Sequence, residues 1–450
     1  MKKLKSLLSI ALIALTACGT PETLKEPEST PIFTMGEDGS KFYRIPALVK
    51  AADGALVAVA DKRGDALGDL PNIISIVSKR STDGGKTWSD MSIVAQGDTV
   101  AKCGYGDAVV IADEKRGNLV AVFSGNNGLW QSNEESLIRT YSSISTDNGK
   151  TWGAVTDITD QVYGNVYGEG TRYGLFTGSG SGIQLKHGKH AGRIMLVVAA
   201  RNDATWGGTM NNYAIYSDDG GITWKASKNP GCTDGDESKV VELSNGDILM
   251  SIRNRHKGDR LFSISTDGGE TWSEPKYNPT LPAPACNGDI VTYTHGGKNL
   301  LLHSLPASRT TRENVTVYVS EDNGETWTAK RCAGCGSKPR ALCRLEDIIH
   351  LQVAHTVVPH SVGSVRVKHN IVNDARFTCG AAGKHGCVDG MGNRGVYGPD
   401  LLNAGARIHY SREIRQALYV LQILKYESVY TDDNQMLILV HSISPFEFCL

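Results

Sequence analysis

The chain has 450 residues, with 47 Lys and Arg against 48 Asp and Glu, 40% hydrophobic residues and 7% aromatic residues. This near-neutral, ordinary balance excludes a disordered chain and offers no electrostatic reason for a nucleic-acid partner. Fifty glycines exceed the usual ~7% without a G-X-Y period, so the excess points to many tight turns and an all-β chain.

In chain order, Met1–Lys5 is a basic start, and Leu7–Leu15 is an apolar run too short to cross a bilayer as a resident helix. Residues 1–17 are expected to be a secretory signal peptide. Leu15-Thr16-Ala17-Cys18 resembles the bacterial lipoprotein signal, which implies lipidation of Cys18, export to the cell envelope (outer membrane, periplasmic or surface-facing) and membrane contact through the lipid alone. Residues 18–35, rich in Pro, Glu, Ser and Thr, are expected to be a flexible tether.

An octapeptide, Ser-x-Asp-x-Gly-x-Thr-Trp, then recurs five times: Ser81–Trp88, Ser145–Trp152, Ser217–Trp224, Ser265–Trp272 and Ser320–Trp327. Each copy follows a short apolar or alternating run that reads as a strand entering a turn. Ser and Asp bond the turn's amides, Gly takes the positive φ, and Trp packs beneath. The ligand pattern of a calcium loop is missing, as is the second glycine of a phosphate loop, so these aspartates are structural. Their spacings of 64, 72, 48 and 55 residues suit four-stranded propeller blades. Five such blades and one without the motif, closed by pairing the N-terminal and C-terminal strands, would make a six-bladed all-β propeller over residues 36–350.

The five octapeptides, together with Phe42-Tyr43-Arg44-Ile45-Pro46, make the chain resemble the bacterial exo-α-sialidases, whose octapeptides are called Asp boxes. That resemblance covers residues ~36 to ~327. It implies removal of terminal α-linked sialic acid from glycoproteins, glycolipids or oligosaccharides by a retaining mechanism, with no metal or organic cofactor. It also places the Asp boxes on the face away from the site. A monomer acting on sialylated glycans is expected.

The substrate explains the residue types. Sialic acid bears a carboxylate on its anomeric carbon, and guanidinium forks match a carboxylate where Lys supplies only a point charge. Arg44, Arg253 in Ser251-Ile-Arg-Asn254 and Arg312 in Thr311-Arg-Glu-Asn314 are similar to the family's arginine triad. In Asp61-Lys-Arg-Gly-Asp-Ala-Leu-Gly-Asp69, Arg63 resembles a further substrate contact and Asp69 the acid/base, with Asp65 the competing carboxylate. Glu237 resembles the glutamate that activates the nucleophile, with Asp236 and Glu242 as alternatives. The family's nucleophile is a tyrosine, since a carboxylate approaching an anomeric centre that already carries one would meet like-charge repulsion. Trp130, one of two tryptophans outside the octapeptides, is a candidate wall for the N-acyl group or a loop anchor.

Beyond Trp327 the pattern breaks. Pro339 stands where the family's Ser-x-Tyr-Ser element would place its tyrosine, so the nucleophile is unassigned. Read literally, the sequence is expected to be catalytically crippled unless Tyr397, Tyr410, Tyr419, Tyr426 or Tyr430 reaches the site, and the alternative function is a non-catalytic sialoglycan-binding propeller that lost its nucleophile. Residues 328–450 hold six of the ten cysteines and seven of the twelve histidines but no Trp. Cys332, Cys335, Cys343, Cys379 and Cys387 allow a zinc module or a disulfide-bonded domain, although the irregular spacing and exported setting weigh against zinc. Translation out of frame best accounts for the abrupt change in composition, and residues 351–450 are left without a domain assignment.

Overall fold

The computed structural model describes residues 28–330, apart from 65, 102, 296, 313 and 314, together with Ser428–Tyr430 and Met436–Ser442. After β1 (Glu28–Thr34), β2 (Phe42–Lys50), β3 (Leu56–Arg63), β4 (Ile74–Ser81) and β5 (Ser92–Ala95) form the first four-stranded sheet. The second contains β6 (Tyr105–Asp113), β7 (Asn118–Asn126), β8 (Ile138–Ser145) and β9 (Thr156–Asp157). Helix α1 (Thr159–Tyr167) leads to β10 (Leu175–Thr177), β11 (Gly180–Ser181), β12 (Ile183–Gln184), β13 (Ile194–Arg201), β14 (Met210–Ser217) and β15 (Lys225–Ala226). Of these, β11 adds in parallel to β6, and the others make the third sheet. The fourth sheet is β16 (Gly235–Glu242), β17 (Ile248–Asn254), β18 (Gly258–Ser265) and β19 (Lys276–Ala283); the fifth is β20 (Asp289–His295), β21 (Lys298–Pro306), β22 (Val315–Ser320) and β23 (Thr328–Lys330). Finally, β24 (Ser428–Tyr430) and β25 (Met436–Ser442) join β1 in a three-stranded sheet, with Glu28 opposite Ser442.

The apolar core lies between neighbouring sheets. Val49, Val57 and Ile76 of the first pack on Val110, Leu119 and Phe123 of the second, and the same layering recurs through the fourth and fifth sheets. This face-to-face succession of five blades is a β-propeller. The supposed tether is corrected over its second half. There β1 forms, and Ile32, Phe33 and Met35 are buried against Tyr43, Leu48 and Leu56, apolar groups that the surrounding Pro, Glu, Ser and Thr obscured.

The octapeptide turns connect third to fourth strands and share one bonding scheme. In the second blade, Asp147 accepts from Thr151 N at 2.9 Å, Thr151 Oγ1 at 2.6 Å and Ser145 Oγ at 2.8 Å, while Gly149 N donates to Ser145 Oγ at 2.8 Å. Equivalent bonds recur around Asp83, Asp219, Asp267 and Asp322. The glycine has a second duty beyond its positive φ. A Cβ on Gly149 would lie 2.6 Å from Val57, on Gly221 2.8 Å from Val120, on Gly269 2.1 Å from Met195 and on Gly324 2.7 Å from Leu249. Each contact falls on the second strand of the preceding blade. The motif thus fixes its own turn and the spacing between blades.

Candidate active site at the end opposite the octapeptide turns

Antiparallel topology sorts the residues between two ends. First-to-second and third-to-fourth connections share one end, which carries the octapeptides. The starts of first strands and the second-to-third connections share the other. Arg44 and Glu237 lie near the starts of β2 and β16, Arg63 and Arg253 near the ends of β3 and β17, and Asp69, Trp130 and Arg312 on second-to-third connections. These seven side chains therefore belong to one end.

Three first strands enter this end through a bulge. In β2 the register slips between Arg44 and Ala47, in β6 between Gly106 and Val109, and in β16 between Gly235 and Ser238. Each places two residues opposite one. Asp236 and Glu237 thereby face Arg253, which donates to Glu237 through Nη1 and places Nε 3.5 Å from Asp236. Ile45 and Asp107 take φ of 56° and 57° within their bulges, and a β-branched residue at positive φ is a strained arrangement. The local backbone is bent to aim side chains.

The first blade supplies a charged nest. Arg63, 1% exposed, donates to Asp61 Oδ2 at 2.8 Å, Asp69 Oδ1 at 2.8 Å and Leu67 O at 2.7 Å. Arg44 reaches the same Asp69 oxygen at 3.3 Å. Asp69 itself is open to solvent, with 66% of its side chain exposed. Asp61 is wholly buried, and its Oδ1 has no hydrogen-bond partner among the described residues. Burial outweighs the pull of Arg63 and pushes the Asp61 carboxyl up to about 6. Arg63 is itself raised: burial opposes its charge, but Asp61 and Asp69 together overcome that. The two shifts differ because Arg63 has two carboxylates to lean on, whereas Asp61 must share its one close cation.

Asp107 links this nest to Glu237. Burial first, then the charges of Asp61 and Asp69, lifts its carboxyl well above the usual range, with Arg63 opposing and Glu237 adding to the rise. On the far side, Arg312 donates to Ala285 O at 2.7 Å, and Arg312, Arg253, Glu237 and Arg260 all act on neighbouring Cys286. Beneath them Lys239 Nζ donates to Gly178 O and Asn287 Oδ1, both at 2.8 Å, tying the third, fourth and fifth blades together. Burial pulls its ammonium down to about 8.

Several sequence expectations can now be placed. Asp69 sits with Arg44 and Arg63, while Glu237 sits with Arg253, and Asp107 lies electrostatically between these groups. Arg312 belongs to the Glu237 side. Asp236 shares the bulge with Glu237 and bonds the Glu237 amide at 2.8 Å. Glu242 does not join them: at the other end of β16 it accepts from Lys186 N and His187 N at 2.7 and 3.0 Å. Trp130 packs at the rim beside Trp206, Arg201 and Arg255. Asp65, Cys18, Pro339, Tyr397, Tyr410, Tyr419, Tyr426 and the cysteines from Cys332 onward lie outside the described residues, as does the side chain of Tyr430. Sequence reasoning passed over Asp61, Asp107, Lys239 and Arg260. For Asp107 a signal existed: Gly104-Tyr-Gly-Asp107 opens its first strand just as Phe42-Tyr-Arg44 opens β2. Among the described residues, no group of three or more His, Cys, Asp or Glu side chains is arranged to hold a metal ion.

A propeller with short acidic turns at one end and an arginine and carboxylate cluster at the other defines a class, and the comparisons agree with it. Residues 71–332 match the family described as BNR repeat-like domain. A sialidase of Micromonospora viridifaciens is 33% identical over 74% of this chain and 54% of its own length. A sialidase of Paraclostridium sordellii is 31% identical over 70% of this chain and 82% of its own. The solved Hadza microbial sialidase Hz136 superposes with a TM-score of 0.60 at 29% identity, covering 66% of this chain and 60% of that one. The chain belongs to the BNR-repeat propellers and, within them, to the bacterial sialidase family. It spans about half the length of the Micromonospora relative.

Proposed function

We propose that this protein is an exo-α-sialidase that releases terminal sialic acid from sialylated glycans with retention of configuration, needing no cofactor. The observation that carries this reading is the gathering of Arg44, Arg253 and Arg312 with Asp69 and Glu237 at the propeller end remote from the octapeptide turns. Three guanidinium groups fit the carboxylate on the anomeric carbon. Arg44 rests on Asp69 at 3.3 Å, a contact long enough for a substrate carboxylate to replace. Asp69 in its protonated form donates to the departing glycosidic oxygen. A tyrosine, its proton relayed to Glu237, attacks the anomeric carbon. Water deprotonated by Asp69 then displaces the tyrosine with a second inversion. The tyrosine is not assigned to a residue of this chain; on the out-of-frame reading it stands in a Ser-x-Tyr-Ser element of another frame beyond codon 328.

The three-stranded sheet of β1, β25 and β24 is read as the sixth blade, joining the two ends of the chain. Trp130 is assigned to the N-acyl side of the pocket, Arg63 to a further substrate contact that also orients Asp69, and Cys18 to a lipid anchor on an exported monomer. Release of a fluorophore from a sialic-acid glycoside tests the activity, with Arg312→Ala expected to lower kcat/KM at least about 100-fold through loss of a charge-assisted contact. An intact chain with no turnover would exclude the proposal.

A further inference from the structure

Trp206 is 67% exposed, an unusual position for the largest apolar side chain, and it stands on the same end as the arginine cluster. Its loop is held from below. Arg255, two residues beyond Arg253, donates to Gly208 O at 2.5 Å and Gly207 O at 2.8 Å and pairs with Asp234 at 3.1 Å. Asn202 and Asp203 bond the loop internally, to Thr209 Oγ1 at 3.0 Å and from Thr205 N at 2.7 Å. Trp206 is backed by Trp130, with ring centroids 6.3 Å apart. Trp130 in turn lies over buried Arg201, whose guanidinium binds the carbonyls of Leu129, Ser132 and Tyr173. The Trp130 loop also touches the Asp69 loop: a Cβ on Gly128 would fall 2.6 Å from Leu70 O and 2.9 Å from Pro71.

We infer that Trp206, seated on Trp130 and Arg255, is a saccharide-stacking platform for a sugar beyond the terminal residue of a bound glycan. A fixed, exposed indole beside a half-buried one presents a flat apolar face whose ordering cost is already met by folding. The apolar C–H face of a pyranose ring is its chemical complement. The loop rests on Arg255, two residues beyond Arg253 of the clamp, and its Trp206 lies against Trp130, whose own loop touches the acid/base loop at Leu70 and Pro71, so the indole flanks the site between the two. The inference rests on the sialidase reading, and binding separates the two.

Dissociation constants are measured on the full chain for the methyl α-glycoside of sialic acid and for a trisaccharide in which sialic acid caps lactose. Wild type is expected to bind the trisaccharide more tightly. Trp206→Ala should weaken the trisaccharide roughly 3- to 10-fold, the order of one aromatic contact, and leave the methyl glycoside unchanged. Trp206→Phe should recover most of the loss. Equal weakening of both ligands, or of neither, overturns the platform while leaving the sialidase reading intact. Failure of wild type to bind either ligand overturns both.

Discussion

Replacing Arg63 with Met tests whether the acidic nest depends on one buried cation. The substitution nearly preserves length and removes three hydrogen bonds of 2.7 to 2.8 Å. It leaves Asp61 wholly enclosed, already with one oxygen unpartnered among the described residues, and without its main counter-charge. Breaking a buried pair from one side costs about 3–5 kcal/mol, and at about 2 °C per kcal/mol for a domain of this size the melting temperature should fall by roughly 8 °C at pH 7. Removing both partners in Arg63→Met/Asp61→Leu should recover most of that fall, since no charge is then left stranded. The loss should also shrink at pH 5, because the Asp61 carboxyl sits at about 6 and is largely neutral there even in the parent protein. Calorimetric melting of the three proteins at both pH values is the assay. A single-variant loss under about 1 kcal/mol, a double variant no more stable than the single, or a loss independent of pH would refute the account of the nest.

The octapeptide aspartates give the opposite pH response. Burial opposes, but the bonds from Thr151 and Ser145 prevail and hold the Asp147 carboxyl down at about 2, with Asp83, Asp219, Asp267 and Asp322 depressed in the same way. Their stabilisation is present above the unfolded value near ~3.9 and is lost as pH falls through about 2. Melting temperature should therefore drop steeply below about pH 4, and Asp147→Asn should flatten that drop. Gly221→Ala should cost about 2–4 kcal/mol, since it combines φ of 93° with a Cβ 2.8 Å from Val120; kcat per folded molecule should remain at the parent value. Translating the coding DNA beyond codon 328 in the other two frames should reveal a Ser-x-Tyr-Ser element and strand patterning, and their absence from both frames would dismiss the frame-shift explanation.

What the sequence disclosed and what it withheld divide along one physical line. The octapeptides were legible because each satisfies its hydrogen bonds within eight consecutive residues: Asp147 finds its partners at Ser145 and Thr151. Arg44, Arg253 and Glu237 stand out as candidates through the family signatures that surround them locally. Asp61 and Lys239 are intelligible only through partners brought by folding, such as Gly178 and Asn287 for Lys239. The bulges are harder still. Ile45 at φ 56° breaks the expectation that Gly or Asn marks such backbone, so no local residue preference announces it. It becomes visible only when β2 is registered against β3, where Ile45 and Pro46 together oppose Ala60. The same two-against-one count sets Asp236 and Glu237 against Arg253 and turns Asp107 towards the nest. Strain at the strand entrances and burial of charge are thus one device: the blades supply rigidity through their octapeptide turns at one end, and that rigidity holds bent backbones and crowded carboxylates at the other.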